Sequence, residues 1–202
     1  MICRLIAILP SAWPLLRGRV EAFFDRAAAS WDSRAGVGSF ERLEALANGL
    51  GSVAVRPERV LDLGCGTGES TLFLAREYPT AGIRGVDLSP EMVRRAGRRL
   101  GLDPSARVSF RVADAASLPW PDGSFDLVVQ VNVPIFASEV GRLLRPSGEW
   151  LIVSTLGSST PFHTPERPYR RALSRAGMIP AGEGRAGSGT WRIAKLEGHA
   201  GP

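Results

Sequence analysis

The chain has 202 residues, 44% of them hydrophobic and 22% charged, with a formal net charge of +5. That balance excludes a disordered chain, and one ordinary domain with a small lid accounts for the length. The 23 Gly and 15 Pro follow no period, which excludes collagen-like and linker readings, and the two cysteines, Cys3 and Cys65, make neither a disulfide framework nor a metal cluster. A reducing, cytoplasmic compartment is the expectation from such cysteine usage. Lys195 is the one lysine, so the basic excess is arginine, including a cluster at Arg94, Arg95, Arg98 and Arg99. An excess of this size permits an anionic partner without demanding one.

The apolar stretch from Leu5 to Leu16 is too short to span a bilayer. Pro10 and Pro14 break it and no small-residue cleavage site follows, so it is expected to pack on the domain, with no membrane partner. Leu16, Val20, Phe23, Phe24 and Ala27 recur at helical spacing and predict a helix over about 15–30. The segment WDSRAGVGSF reads as a loop, and Leu43, Leu46, Ala47 and Leu50 predict a second helix over about 40–50. Residues 1–50 are thus expected to form a helical cap or lid, and 51–202 the main domain.

From Arg59 the pattern alternates. VLDLG is a strand running into a glycine-rich turn, GESTLFLAREY a helix, and IRGVDLS a strand ending on an acid. Ser89, Pro90 and Glu91 make a helix start: an N-cap, a proline in the first turn and an early acid. VSFRVAD and the nearly all-apolar FDLVVQVN are the third and fourth strands, the latter suited to the centre of a parallel sheet. ASEVGRLL is a short helix, RPSG a turn, EWLIVST the fifth strand and PERPYRRALSRAG a helix. Two further strands, about Met178–Gly182 and Thr190–Leu196, form a loose hairpin across GEGRAGSG. Alternation of this kind predicts a parallel sheet with helices on both faces, and the hairpin adds an antiparallel strand near one edge.

The informative segment is Val60-Leu61-Asp62-Leu63-Gly64-Cys65-Gly66-Thr67-Gly68. It sets an acid near a strand end, then three alternate glycines at a strand-to-helix turn, where a backbone free of Cβ lets a ligand approach a helix N-terminus. The spacing is wrong for a dinucleotide fingerprint, because position 69 is Glu, and no Walker lysine follows. A ligand with an amino-acid end fits better: Asp62 can meet an ammonium and the turn a carboxylate. Asp87 ends the second strand, placed to accept hydrogen bonds from both hydroxyls of a ribose, with Leu88 to cover a base face. Asp114 and Ala115 end the third strand, where a carboxylate can accept from an adenine amino group. A nucleoside joined to an amino acid is S-adenosylmethionine.

At VLDLGCGTG, GVDLSPEM, VADAASLPWPDGSFDLVV and RLLRPSGEWLIV the chain resembles the class I S-adenosylmethionine-dependent methyltransferases. EAFFDRAAASWD is similar to the opening helix of their small-molecule branch. The resemblance covers roughly residues 20 to 155 and rests on four blocks in the right order. It implies an α/β fold: a Rossmann-like, doubly wound, mostly parallel sheet of seven strands with the last antiparallel, in three layers, topped by the N-terminal helical cap. It implies S-adenosylmethionine as cofactor and S-adenosylhomocysteine as product, with no metal. Its cofactor contacts fall on Asp62, Gly64, Cys65, Gly66, Gly68, Asp87, Leu88, Asp114, Ala115 and Gln130. The acceptor it implies is a small molecule, attacking in line through O, N, C or S.

The chain departs from the family after the fourth strand, where the loop is shorter and a His-His pair is missing. Asn132-Val133-Pro134-Ile135-Phe136 is loosely similar to the Asn-Pro-Pro-Tyr block of amino-group methyltransferases. Asn132 and His163 are the candidates for a catalytic role, and Phe24, Trp31 and Phe136 for a substrate pocket or lid. Two other functions stand beside the small-molecule enzyme: a methyltransferase acting on RNA or protein, suggested by the charge, and a cofactor-binding protein without turnover, suggested by the short loop. A monomer or a homodimer is expected.

Overall fold

The computed structural model describes residues 2–34, 40–101, 106–160 and 162–198. Most of the expected loop at 35–39 lies outside them. The described elements are α1 (Ile2–Ile8), α2 (Trp13–Ala27), α3 (Trp31–Arg34), α4 (Phe40–Leu50), β1 (Arg59–Leu63), α5 (Glu69–Glu77), β2 (Gly82–Asp87), α6 (Pro90–Leu100), β3 (Val108–Val112), β4 (Phe125–Val131), α7 (Ala137–Leu143), β5 (Leu144–Ser154), α8 (Glu166–Arg175), β6 (Met178–Ala186) and β7 (Gly189–Leu196). Single 3-10 turns at Pro10–Ala12 and Ala28–Ser30 join the first three helices.

The strands form one seven-stranded sheet in the order β3-β2-β1-β4-β5-β7-β6. Five strands, β3 to β5, are mutually parallel; β7 runs antiparallel to β5 and to β6. The chain reverses between β2–β3 on one side of β1 and β4 on the other, so the crevice of a doubly wound sheet opens above the carboxyl ends of β1, β2 and β4.

Each central strand is apolar on both faces, as a sheet covered twice must be. On one face Leu46, Leu74, Ile83, Leu127, Leu151 and Ile193 join a single buried cluster that includes α4 and α5. On the other, Val128, Trp150, Ile152, Leu143, Tyr169 and Leu173 pack with α7 and α8. Helix α1 belongs to this second layer: Ala7 joins its cluster, and Arg175 donates to Ile8 O at 3.2 Å. Helix α4 packs on β5, β6 and β7 through Ala45 and Leu46, so the expected cap over residues 1–50 narrows to α2 and α3.

Two acids at the foot of the sheet fasten the lead-in to β1. Asp126 Oδ2 accepts from Glu58 N and Arg59 N, both at 2.9 Å, and Arg145 pairs with its other oxygen at 2.6 Å. Glu149 Oε2 accepts from Ala54 N at 2.7 Å and Val55 N at 3.1 Å. The turn expected at RPSG is held within β5 as a bulge: Leu144 pairs with Phe125 but Glu149 with Leu127, so extra residues loop out of register. The loose hairpin is instead two long strands, since cross-strand pairing continues to Ala186 and Gly189.

Candidate active site

The glycine turn is fixed by backbone. Gly64 N and Cys65 N both donate to Val86 O at 2.8 Å, which ties the end of β1 to β2. Gly64 and Gly66 have φ of +74° and +54°, a region that favours glycine. A Cβ on Gly64 would sit 2.3 Å from Val133 Cγ2, so no side chain fits there. On Gly66 a Cβ would meet nothing closer than Trp31 Nε1 at 3.9 Å, so this glycine faces open space. Gly68 is the N-cap of α5 and supplies no side-chain hydrogen bond to its first turn.

The strand-end acids are held in three different ways. Asp87 Oδ2 accepts from Gly66 N and its Oδ1 from Ser89 N, both at 2.9 Å, and burial raises its carboxyl above the usual range. Asp62 is fully buried and does not line the cavity itself; its Oδ2 accepts from Ser70 Oγ at 2.7 Å and Thr71 Oγ1 at 2.5 Å. Ser70 does line the cavity, so Asp62 reaches it through that hydroxyl. Burial pushes the Asp62 carboxyl up to about 6, against the lowering by the two hydroxyls, and its Oδ1 is buried without a partner. Asp114 accepts from Trp13 Nε1 at 2.8 Å and Arg17 Nη1 at 3.3 Å, as well as from Ala116 N at 2.9 Å. Gln130 is buried; it donates to Val133 O at 2.8 Å and leaves Oε1 unpaired.

A cavity of about 640 Å³ lies above these strand ends, within the range of roughly 300–1,000 Å³ common for small-molecule sites. Gly64, Cys65, Gly66 and Asp87 form part of its floor, and Leu88 and Ala115 line it at one end. Helices α2 and α3 supply the roof. Phe24 packs edge-on to Trp31 at 5.4 Å between ring centres and tilts against Phe162 at 6.2 Å. Phe136 meets Trp13 edge-on at 5.1 Å. Trp13 and Arg17 pin the roof to Asp114, Asp25 pins it to the N-cap Ser89 Oγ and to Glu91 N, and Asp32 to Thr67 Oγ1 at 2.6 Å and to Arg99.

The two catalytic candidates lie apart. Asn132 lines the cavity, with a left-handed φ of +58°, but its amide is spent on Thr155: Nδ2 donates to Oγ1 at 2.8 Å and Oδ1 accepts from Thr155 N at 3.1 Å. His163 lines a separate small pocket beside Thr164 and Arg192. Burial, and then Arg192, lower its pKa. Buried Cys65 has its thiol raised far above the ordinary value by burial, which leaves it no thiolate. In the arginine cluster, Arg94 and Arg95 pair with Glu91, and Arg99 with Asp32.

Sequence reasoning did not find Thr67, Ser70, Trp13, Arg19 or Phe162 as parts of this site. The hydroxyls carry no distinctive spacing, and Trp13 and Arg19 belong to a segment whose only sequence signal was apolar periodicity. No group of three or more His, Cys, Asp or Glu among the described residues is arranged to hold a metal. Nor is any described helix long and apolar enough to cross a membrane.

Residues 60–148 match a family model described as a methyltransferase domain. The chain is 42% identical over 167 residues to a malonyl-[acyl-carrier protein] O-methyltransferase of Geobacter sulfurreducens, covering 78% of this chain and 60% of that protein. Two other curated relatives are spanned to 49% and 52% of their length, so the chain represents about half of such proteins. In fold, it is similar to a chain of the Haloferax volcanii complex of the Trm112 methyltransferase activator, with TM-score 0.71 and 21% identity over 86% of this chain and 97% of that one. It is also similar to a geranyl diphosphate C-methyltransferase from Streptomyces coelicolor bound to S-adenosyl-L-homocysteine, with TM-score 0.59 and 18% identity over 68% and 72% of the two chains.

Proposed function

We propose, for a chain that carries a class I S-adenosylmethionine-dependent methyltransferase domain, that the cavity binds S-adenosylmethionine and that the protein passes its methyl group to a small, largely apolar acceptor, releasing S-adenosylhomocysteine. The observation that carries this reading is the convergence of Gly66, open to the cavity, with Asp87 and with Ser70, which links to the unpaired Oδ1-bearing Asp62, on one floor.

The residues fit the cofactor. Asp87 would take the ribose hydroxyls on the lone pairs left by Gly66 N and Ser89 N. Leu88 and Ala115 would flank the base, with the Asp114 carboxylate at its edge. The buried, unpaired oxygens of Asp62 and Gln130 are acceptors that an ammonium can satisfy directly or through water. When bound, the cofactor supplies an electrophilic methyl; the chain supplies position and a dry site. Phe24, Trp31 and Phe162 close the roof over the methionine end and keep water from the reacting groups. The free cysteines Cys3 and Cys65 are consistent with a cytoplasmic setting, in which the protein acts as a monomer or homodimer. Arg94, Arg95 and Arg99 of the arginine cluster are already paired with acids, so that cluster lends the RNA reading little.

Calorimetry with S-adenosylhomocysteine and S-adenosylmethionine tests the reading. Saturable binding at one site, displaced between the two ligands, is the expected result. Absence of binding to either would overturn it.

A further inference from the structure

We propose that the outer face of α1 and α2 docks on an anionic lipid surface and sets the mouth of the cavity against it. Seven large apolar side chains are exposed among the described residues, and five of them, Leu5, Ile8, Leu9, Leu15 and Phe23, stand on α1, α2 and the link between them. Single apolar residues scattered over a surface need no explanation, but a group gathered in one segment marks a contact. A sixth, Leu156, lines the cavity together with Phe23.

The N-terminal stretch packs on the domain by one side. Cys3, Ile6 and Ala7 of α1 are buried, while Leu5, Ile8 and Leu9 are exposed. In α2, Leu16, Val20 and Phe24 recur at helical spacing and line the cavity. Leu15, Arg19, Ala22 and Arg26 recur at the same spacing as an adjoining row, and Leu15 is 82% exposed. Arg19 and Phe23 belong to the rim, since both line the cavity and both are exposed. Phe23 and Leu156, at 55% and 54% exposed, mark the mouth. The exposed row of α2 and the opening of the cavity therefore adjoin.

Charge selects the occupant. Arg4, Arg19 and Arg26 are exposed and make no ion pair among the described residues, whereas Arg17 is paired with Asp114. Of the two acids in α2, Asp25 is turned inward onto Ser89 Oγ and Glu91 N, which leaves Glu21 alone against the arginines. Apolar tips set among arginines suit a bilayer interface: the tips enter the acyl boundary and the guanidinium groups stay at the phosphates. A second copy on this face would bring arginines against arginines across a twofold axis. No described helix is long and apolar enough to cross a membrane, so the contact is one of surface. A mouth that stands on lipid admits an apolar acceptor without passing it through water. That last step rests on the cofactor reading above; the docking does not.

The test is sedimentation of the whole chain with vesicles of phosphatidylcholine, alone or with about 30% phosphatidylglycerol, at about 0.1 M salt. The anionic vesicles should bind it about tenfold more tightly than the neutral ones, and less tightly as salt is raised. Leu9→Ser with Leu15→Ser, both outside the cavity wall, should weaken that binding about tenfold. Arg4→Gln with Arg26→Gln should weaken it about as much. S-adenosylhomocysteine affinity by calorimetry should stay unchanged in both pairs. A polarity-sensitive dye on Leu15→Cys should shift to the blue on anionic vesicles, and one on Asp122→Cys, ahead of β4 at the far end of the sheet, should not. Equal binding to neutral and anionic vesicles, or a blue shift at the Asp122 position alone, overturns the inference. Absence of vesicle binding overturns it and gives the face to a protein partner. A dimer that Leu9→Ser with Leu15→Ser dissolves gives the face to a second copy and overturns it as well. In each case the cofactor reading stands or falls separately, on its own calorimetry.

Discussion

The floor of the cavity is held close to the sheet: Gly64 N and Cys65 N both donate to the backbone of Val86 on the adjacent strand, and Gly66 N to the carboxylate of Asp87 at the same strand end, inside a sheet covered on both faces. Its roof meets the same cavity through side chains, and across long stretches of sequence. Trp13 reaches Asp114, 101 residues away, and Asp25 reaches Ser89, 64 away. A backbone bond inside a buried sheet opens only when the sheet opens, whereas a single side-chain link opens at a cost of about 1 kcal/mol. That contrast predicts a fixed floor and a roof that lifts to admit ligands.

The largest effect that would sharpen this contrast is expected on the floor. Gly66→Val places a branched side chain at φ +54°, in the open space that the ligand needs. Calorimetry should find S-adenosylhomocysteine binding lost, with the circular dichroism spectrum of the wild type retained. Retained binding would mean that the turn does not touch the ligand. Next is Asp87→Ala, which removes the proposed acceptor of the ribose hydroxyls and should weaken binding roughly tenfold to a hundredfold. An unchanged affinity would break the assignment.

A smaller, pH-linked effect belongs to Asp62. Burial raises its carboxyl to about 6, and a ligand ammonium favours the ionised form, so binding releases a proton. Affinity should fall as the pH drops through about 6, by up to about tenfold between pH 7 and 5, and Asp62→Asn should flatten that slope. In the ligand-free chain the sign reverses. A carboxyl raised on folding stabilises the fold below its unfolded value and loses that contribution as the pH climbs through the folded one. Titration calorimetry in two buffers of different ionisation heat reads the proton directly.

The smallest effect is expected on the roof. Trp13→Phe keeps the ring against Phe136 but removes the bond to Asp114. Hydrogen exchange in α2 should quicken several-fold while the global melting point moves by a few degrees at most. Amides from Phe23 to Ser33 should in turn gain protection when S-adenosylhomocysteine is added. Equal exchange with and without ligand would make the roof as fixed as the floor.

The same contrast governs what could be read in advance. The floor was legible because β1, its glycine turn and α5 are contiguous, and because strand-end acids recur with the period of the strand–helix unit. The links of Asp114 to Trp13 and of Asp32 to Thr67 could not be read, since they pair residues that share no local pattern. The RPSG segment reads as a turn from its Pro and Gly; tertiary pairing with Phe125 and Leu127 keeps it in β5 as a bulge. Likewise the Gly-rich 182–189 run joins a hairpin because Trp191 and Ile193 give β6 a surface to cover. Asn132 looks like part of a catalytic block from its neighbours in sequence, yet its contacts clamp β4 to β5.

The placing of β7 has a consequence for the order in which the molecule can be made. Its residues are the last of the sheet to leave a ribosome, yet they occupy an interior position between β5 and β6. Until they emerge, β5 presents an open edge and β6 has no strand beside it, so the rest of the sheet waits on one eight-residue segment, Gly189–Leu196. Nascent chains stalled before that segment should be captured by holdase chaperones and cleaved readily by protease, and chains released after it should resist both. Closure of the sheet is then set by the emergence of β7.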